Sequence, residues 1–136
     1  MATVTAAITL TSAAGDLTTD ALSLSDSMSL TITDMGTTGL ARAKITSTAK
    51  GTSSGQATLY TADDYAAPMY IYIKNTDATS SDYVYVYDDT TSGDPVILKL
   101  AGGDWAMMPT IADKTLKAYA TTSGTLVEWI VYGTDQ

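Results

Sequence analysis

Segments in which apolar and polar residues alternate with a period of two dominate this sequence. Between residues 69 and 74, Met69, Ile71 and Ile73 alternate with tyrosine and lysine, and between 83 and 87 two valines alternate with three tyrosines. Alternation of this kind is typical of a β-strand with one face buried and the other towards solvent. Helical periodicity is nearly absent, so the chain is predicted to fold almost entirely from strands.

Further alternating segments predict strands at residues 3–10, 22–32, 40–47, 96–100, 115–121 and 126–132. Every acidic residue except Glu128 is an aspartate, and aspartate favours turns and caps over helix interiors. A single helical turn at residues 63–67 is the one exception that the pattern suggests. The prediction is therefore an all-β protein, an antiparallel β-sandwich or jelly-roll-like fold of about nine to eleven short strands with little or no helix.

The length of 136 residues predicts one domain with one hydrophobic core. The first third is rich in serine, threonine and alanine, and the composition shifts near Gly55. We therefore predict a single β domain over 1–136, in which 1–54 form a strand region or an extended N-terminal arm and 55–136 form the best-defined sandwich core.

The chain contains neither histidine nor cysteine, and this excludes several kinds of chemistry. Ser-His-Asp and Cys-His sites cannot be built, nor can metal sites with histidine or thiolate ligands. Carboxylate pairs remain at Asp63 with Asp64 and at Asp88 with Asp89, but short strands leave little chain for a substrate cleft. Asp88, Asp89 and Asp94 share one loop without the spacing of a calcium loop. We expect no catalytic residues, no metal and no cofactor.

The formal net charge of −8 repels phosphate backbones, and the seven basic residues are scattered, so we expect no nucleic-acid partner. No apolar run approaches the roughly 20 residues of a membrane-spanning helix, and we expect no membrane association. The first twelve residues lack the charged and apolar regions of a signal peptide, so synthesis in a cytoplasm is predicted.

Nine tyrosines and no phenylalanine are an unusual aromatic composition. Residues 69–74 and 83–87 are predicted to form an antiparallel hairpin with aliphatic side chains on one face and tyrosines on the other. Such a face can stabilise its own sheet through cross-strand pairs, or it can bind a protein or a sugar. Trp129 is interpreted as a core residue. The candidate interface residues are Tyr70, Tyr72, Tyr83, Tyr85, Tyr87, Trp105, Met107 and Met108.

Five segments carry a resemblance to a known group of proteins: YIYIKN (70–75), DYVYV (82–86), LKLAGGDWAMMP (98–109), KAYA (117–120) and VEWIVY (127–132). In this order they resemble small virion structural proteins of tailed bacteriophages, especially those of marine and cyanobacterial phages. The resemblance covers residues 68–133. No functional residues define this group, so none is carried over to this sequence.

The resemblance implies a non-enzymatic virion protein, and the best expectation is a capsid decoration (cement) protein. Such proteins bind the capsid exterior and are often trimeric, so the expected partners are the major capsid protein or other virion proteins and further copies of the chain. A tail, neck or fibre component remains an alternative, as does a carbohydrate-binding β-sandwich module.

Overall fold

The computed structural model describes residues 2–15, 20–32, 35–51, 54–90, 93 and 95–135, and this part contains eleven strands and no helix. All strand pairs are antiparallel, which confirms the predicted fold class. The strands are β1 (Ala2–Ser12), β2 (Leu22–Ile32), β3 (Met35–Thr37), β4 (Ala41–Ile45), β5 (Ala57–Tyr60), β6 (Ala66–Asn75), β7 (Val84–Asp88), β8 (Val96–Leu100), β9 (Trp105–Thr110), β10 (Leu116–Ala120) and β11 (Thr125–Thr134).

The chain divides into two compact units, Met1–Asp34 and Met35–Gln136. In the first unit β1 and β2 pair along their whole length, from Ala2 opposite Ile32 to Ser12 opposite Leu22. This division lies earlier in the chain than the composition shift near Gly55. Strands β3 and β4 precede that residue, and both pair with β11 of the second unit.

Two sheets form the second unit, which we call the sandwich. One sheet has the strand order β5-β10-β7-β8, and the other has the order β3-β11-β6-β9 with β4 also paired to β11. Alternate side chains from both sheets meet in one core, as the period-two pattern predicts. The predicted inward residues of β6, β7, β10 and β11 are all buried there: Met69, Ile71, Ile73, Val84, Val86, Leu116, Ala118, Ala120, Val127, Trp129 and Val131.

Residues 69–74 and 83–87 do not form a hairpin, and that prediction is wrong. Strand β6 pairs with β9 and β11, whereas β7 pairs with β8 and β10. The connection 76–83 thus crosses from one sheet to the other. Because the inner side chains of both strands share the core, Tyr70 and Tyr72 lie on one outer face and Tyr83 and Tyr85 on the opposite one.

The crossing connection is held by Asn75, which is fully buried at the end of β6. Its Nδ2 donates to the carbonyl oxygens of Asp82 (2.7 Å) and Leu100 (3.2 Å), and its Oδ1 accepts from the backbone N–H of Asp77 (3.1 Å). Gly102 lies against the same connection, since a Cβ there would stand 2.2 Å from the carbonyl oxygen of Thr79. These contacts fix the path of the chain between the sheets.

The helical turn predicted at residues 63–67 is also absent. The chain turns at residues 62–65, where Asp63 has a positive φ of 65°, and strand β6 begins at Ala66.

Candidate contact surfaces

The outer face of the β3-β11-β6-β9 sheet carries a cluster of aromatic and apolar side chains. Tyr72 of β6 is flanked by Met107 of β9 and Ile130 of β11 in the strand register, and the next row places Tyr70 beside Tyr132. Trp105 begins β9 at the edge of this cluster. We call it the Trp105 face, defined by Tyr70, Tyr72, Trp105, Met107, Ile130 and Tyr132.

The rings of the Trp105 face contact one another in pairs. Tyr70 and Tyr132 stack with centroids 6.0 Å apart and planes at 16°, and Tyr72 is 6.1 Å from Trp105 at 35°. The Tyr132 hydroxyl donates to Sδ of Met107 at 3.7 Å, and burial raises the pKa of this hydroxyl. Trp105 stays 52% exposed. The buried ring of Tyr132 and the half-buried rings of Tyr70 and Tyr72 therefore form a platform beside one indole that is exposed to solvent.

Charged side chains border the Trp105 face on one side. Lys74 lies between Trp105 and Glu128 in the register, and Glu128 pairs with Arg42 of β4. The guanidinium of Arg42 lies 2.5 Å from the Glu128 carboxylate. The face thus has an apolar centre, and a row of positively and negatively charged side chains lies at its rim. A polar rim around an apolar centre is common in protein contact surfaces.

The opposite sheet carries a second aromatic cluster, which we call the Tyr85 face (Tyr83, Tyr85, Lys99 and Tyr119). Tyr85 and Tyr119 stack with centroids 4.9 Å apart and planes at 13°, and Lys99 Nζ lies 3.8 Å above the Tyr83 ring. Burial raises the pKa of Tyr119. Because these rings are occupied by one another and by Lys99, this face fits cross-strand stabilisation better than binding.

Two of the candidate interface residues are buried or face the core, which corrects their assignment. Tyr87 is fully buried, and its hydroxyl donates to Oε1 of Gln56 at 2.7 Å. Met108 lies opposite Ile71 and packs against the core, whereas Met107, the preceding residue, faces outward. Adjacent residues of a strand point to opposite faces, so only one of the two methionines could belong to a surface.

Sequence reasoning did not single out Tyr119 or Ile130 as outward-facing residues, nor Tyr132, which lies on the outer side of β11 but is itself buried. Tyr119 alternates with the inward Ala118 and Ala120, and Ile130 alternates with Trp129 and Val131. The alternation that located the core residues was therefore sufficient to find these outward ones. Trp129 is buried as predicted, and its Nε1 donates to the Leu59 carbonyl oxygen at 2.9 Å.

The aspartates considered for catalysis or metal binding take part in turns and ion pairs. Asp64 Oδ2 accepts from the Thr61 backbone N–H at 2.7 Å. Asp88 lies 3.5 Å from Lys114 Nζ, and Asp89 lies 2.5 Å from Lys117 Nζ. Asp94 lies outside the described residues. Within the described ranges, no group of three acidic side chains could hold a metal ion.

Comparison of the chain with protein families, curated proteins and solved structures found no match. The resemblance to phage virion proteins thus stands on the five sequence segments between residues 68 and 133. In the part of the chain that the structure describes, no helix has the length and apolarity needed to cross a bilayer.

Proposed function

We propose that this chain is a non-enzymatic structural protein of a bacteriophage particle, and that it decorates the capsid by binding its exterior through the Trp105 face. The observation that carries the proposal is the half-exposed indole of Trp105 on its platform of tyrosines. Tryptophan and tyrosine are enriched among the residues that dominate protein–protein binding energy. Such residues act best when neighbouring groups exclude water around them, and Tyr72 and Met107 lie in that position.

The Trp105 face suits a protein partner for a second reason, which is its rigidity. Tyr132 is held by its hydrogen bond to Met107 and by its stack on Tyr70. Side chains that are already ordered lose less conformational entropy on binding. The major capsid protein, or another protein of the virion, is the partner that the sequence resemblance suggests.

The charge of the chain supports a place outside the shell. A net charge of −8 disfavours contact with a packaged genome, and it favours a partner surface that is neutral or basic. The lack of histidine and cysteine supports a role in assembly over catalysis, since the commonest nucleophile–base pairs cannot form.

Quantitative analysis of purified particles of the encoding phage tests the proposal. We expect the chain to be present at a copy number comparable to that of the major capsid protein, with cryo-electron microscopy density for the sandwich on the outer shell. A copy number that is a small fraction of this would assign the chain to a tail, neck or fibre. Absence from the purified particle would refute a structural role.

A carbohydrate-binding role is the second candidate, and the exposed Trp105 beside Tyr72 favours it, since an apolar ring with a polar neighbour can receive the face of a sugar. A glycan array probed with the wild-type chain and with Trp105→Ala tests this role. Binding that the substitution abolishes would support it, and no binding by the wild type would dismiss it.

A further inference from the structure

The β1–β2 hairpin has two chemically different faces. Its register pairs even-numbered residues with even-numbered ones and odd with odd, so each face collects one set from both strands. One face consists almost entirely of hydroxyl side chains: Thr3, Thr5, Ala7, Thr9, Thr11, Ser23, Ser25, Ser27, Ser29 and Thr31. The other, which we call the apolar arm face, contains Ala2, Val4, Ala6, Ile8, Leu10, Leu22, Leu24 and Met28, together with two polar residues, Ser12 and Asp26.

The larger side chains of the apolar arm face are exposed. Exposure is 46% for Ile8, 51% for Leu10, 49% for Leu24 and 38% for Met28. On the hydroxyl face, by contrast, side chains bond to each other across the strands, as between Thr3 and Thr31 at 3.2 Å. Hence part of the hydroxyl face is satisfied within the hairpin, whereas the apolar face exposes surface that is stabilised by burial.

A hairpin of two strands also needs cover for its own stability. Isolated two-stranded hairpins are marginal in water, and a third strand or a packed layer is normally required for them to persist. β1 and β2 each span 11 residues and form a two-stranded sheet, and no third strand from the described residues pairs with them. A layer packed on the apolar arm face would supply the missing contacts.

We infer that this layer is the apolar arm face of a second copy of the chain. The low charge of the face favours a copy over a strongly charged partner, because Asp26, which lies on this face opposite Ile8, is the only ionisable side chain within β1 and β2. Its Oδ1 accepts from the Ser27 backbone N–H at 2.8 Å and so is partly satisfied within the hairpin. Copies with a net charge of −8 repel each other over much of their surface. An almost uncharged face is the place where two copies meet with the least repulsion.

The dimensions of the hairpin suit a small, reversible interface. Strands of 11 residues are about 35 Å long and a two-stranded ribbon is about 10 Å wide, so each apolar arm face covers roughly 350 Å² in projection. That is the size of patch which marks interaction sites on soluble proteins. Two such faces together reach roughly 700 Å², below the range of standard stable interfaces, so the pairing depends on protein concentration.

Sedimentation velocity of the full chain over a concentration series tests the inference. We expect the mass to rise from the 14.2 kDa of one chain to twice that value. The double variant Leu10→Thr/Leu24→Thr changes a directly paired position of the apolar arm face and is expected to remain at the single-chain mass. The control Thr9→Ala/Ser25→Ala changes the neighbouring pair on the hydroxyl face and is expected to associate as the wild type does.

Cross-linking gives a second readout that does not depend on an apolar-to-polar change. The chain has no cysteine, so Met28→Cys and Ser27→Cys each introduce a single thiol, on the apolar and hydroxyl faces respectively. A bismaleimide that spans the ~10 Å between packed sheets should join two copies of Met28→Cys and leave Ser27→Cys uncoupled.

Three results would overturn the inference. The first is a wild type that keeps the single-chain mass at every concentration, since the face would then have another occupant or none. The second is a Leu10→Thr/Leu24→Thr variant that still associates, which would place the contact elsewhere. Equal cross-linking of the two cysteine variants is the third, because it indicates pairing along the strand edges.

Discussion

Asn75 is the residue whose replacement most directly tests how the chain crosses between the two sheets. Replacing it with alanine removes three hydrogen bonds at a fully buried position. The bond to the Leu100 carbonyl is itself buried, and an unsatisfied buried group costs about 1–3 kcal/mol. The bonds to Asp82 and Asp77 are partly buried, at about 0.5–1.5 kcal/mol each. The expected loss in unfolding free energy is therefore about 2–6 kcal/mol.

Urea unfolding followed by tryptophan fluorescence measures this loss, since both tryptophans lie in the sandwich. The neighbouring variant Thr76→Ala is a matched control, because Thr76 Oγ1 donates to the Leu126 carbonyl at an exposed site. We expect it to cost at most about 1 kcal/mol. If Asn75→Ala costs no more than Thr76→Ala, the assigned role of Asn75 is refuted.

Further substitutions and a titration examine other parts of the sandwich. Trp129→Phe removes the hydrogen bond to the Leu59 carbonyl and should cost about 1–3 kcal/mol in urea unfolding, whereas Trp105→Phe at an exposed site should change little. Gly102→Ala drives a Cβ towards the Thr79 carbonyl and should cost about 2 kcal/mol or more; a variant as stable as the wild type would contradict the close approach. Burial raises the pKa of several tyrosines above their ordinary value of 10.0, so the native state holds these phenol protons more tightly than the unfolded chain does. Their contribution to stability is complete below pH 10.0 and is lost as the pH rises through the native pKa values, which the urea midpoint and the ultraviolet absorbance of tyrosinate should both report. A urea midpoint that stays constant in this range would contradict the assignment of raised pKa values to Tyr60, Tyr65, Tyr87, Tyr119 and Tyr132.

Alternation was sufficient to predict most strand positions and the inner faces of β6, β7, β10 and β11, because it is a local property, but β3, β5 and β9 were not predicted. The partners of each strand are not local. Alternation in 69–74 and 83–87 is the same whether the two segments form a hairpin or cross between sheets, and the hairpin was the wrong choice. What decides the path is the burial of Asn75 and the close approach of Gly102, which bring distant residues together.

The candidate surface was predictable to a similar extent. Tyr70, Tyr72, Trp105 and Met107 lie together on one outer face, although the hairpin interpretation had joined the first two to Tyr85. Alternation places Tyr87 on the outer side of β7, but it does not reveal whether another segment covers that side chain. The hydroxyl of Tyr87 bonds to Gln56, which lies 31 residues away in the sequence. Cover of this kind arises only when the whole chain has folded.

The most direct test of whether the Trp105 face attaches the protein to a particle is a rebinding measurement. Capsid shells are stripped of this protein, and the affinity of the purified chain for the stripped shells is measured. Trp105→Ala removes the exposed indole. A central tryptophan commonly contributes about 2 kcal/mol or more, which corresponds to ~30-fold in affinity. We therefore expect the variant to bind at least tenfold more weakly than the wild type. Tyr83→Ala, which changes the opposite face, should leave the affinity within about twofold. A wild type that does not bind the shells, or a Trp105→Ala variant that binds as tightly as the wild type, would contradict this role of the face.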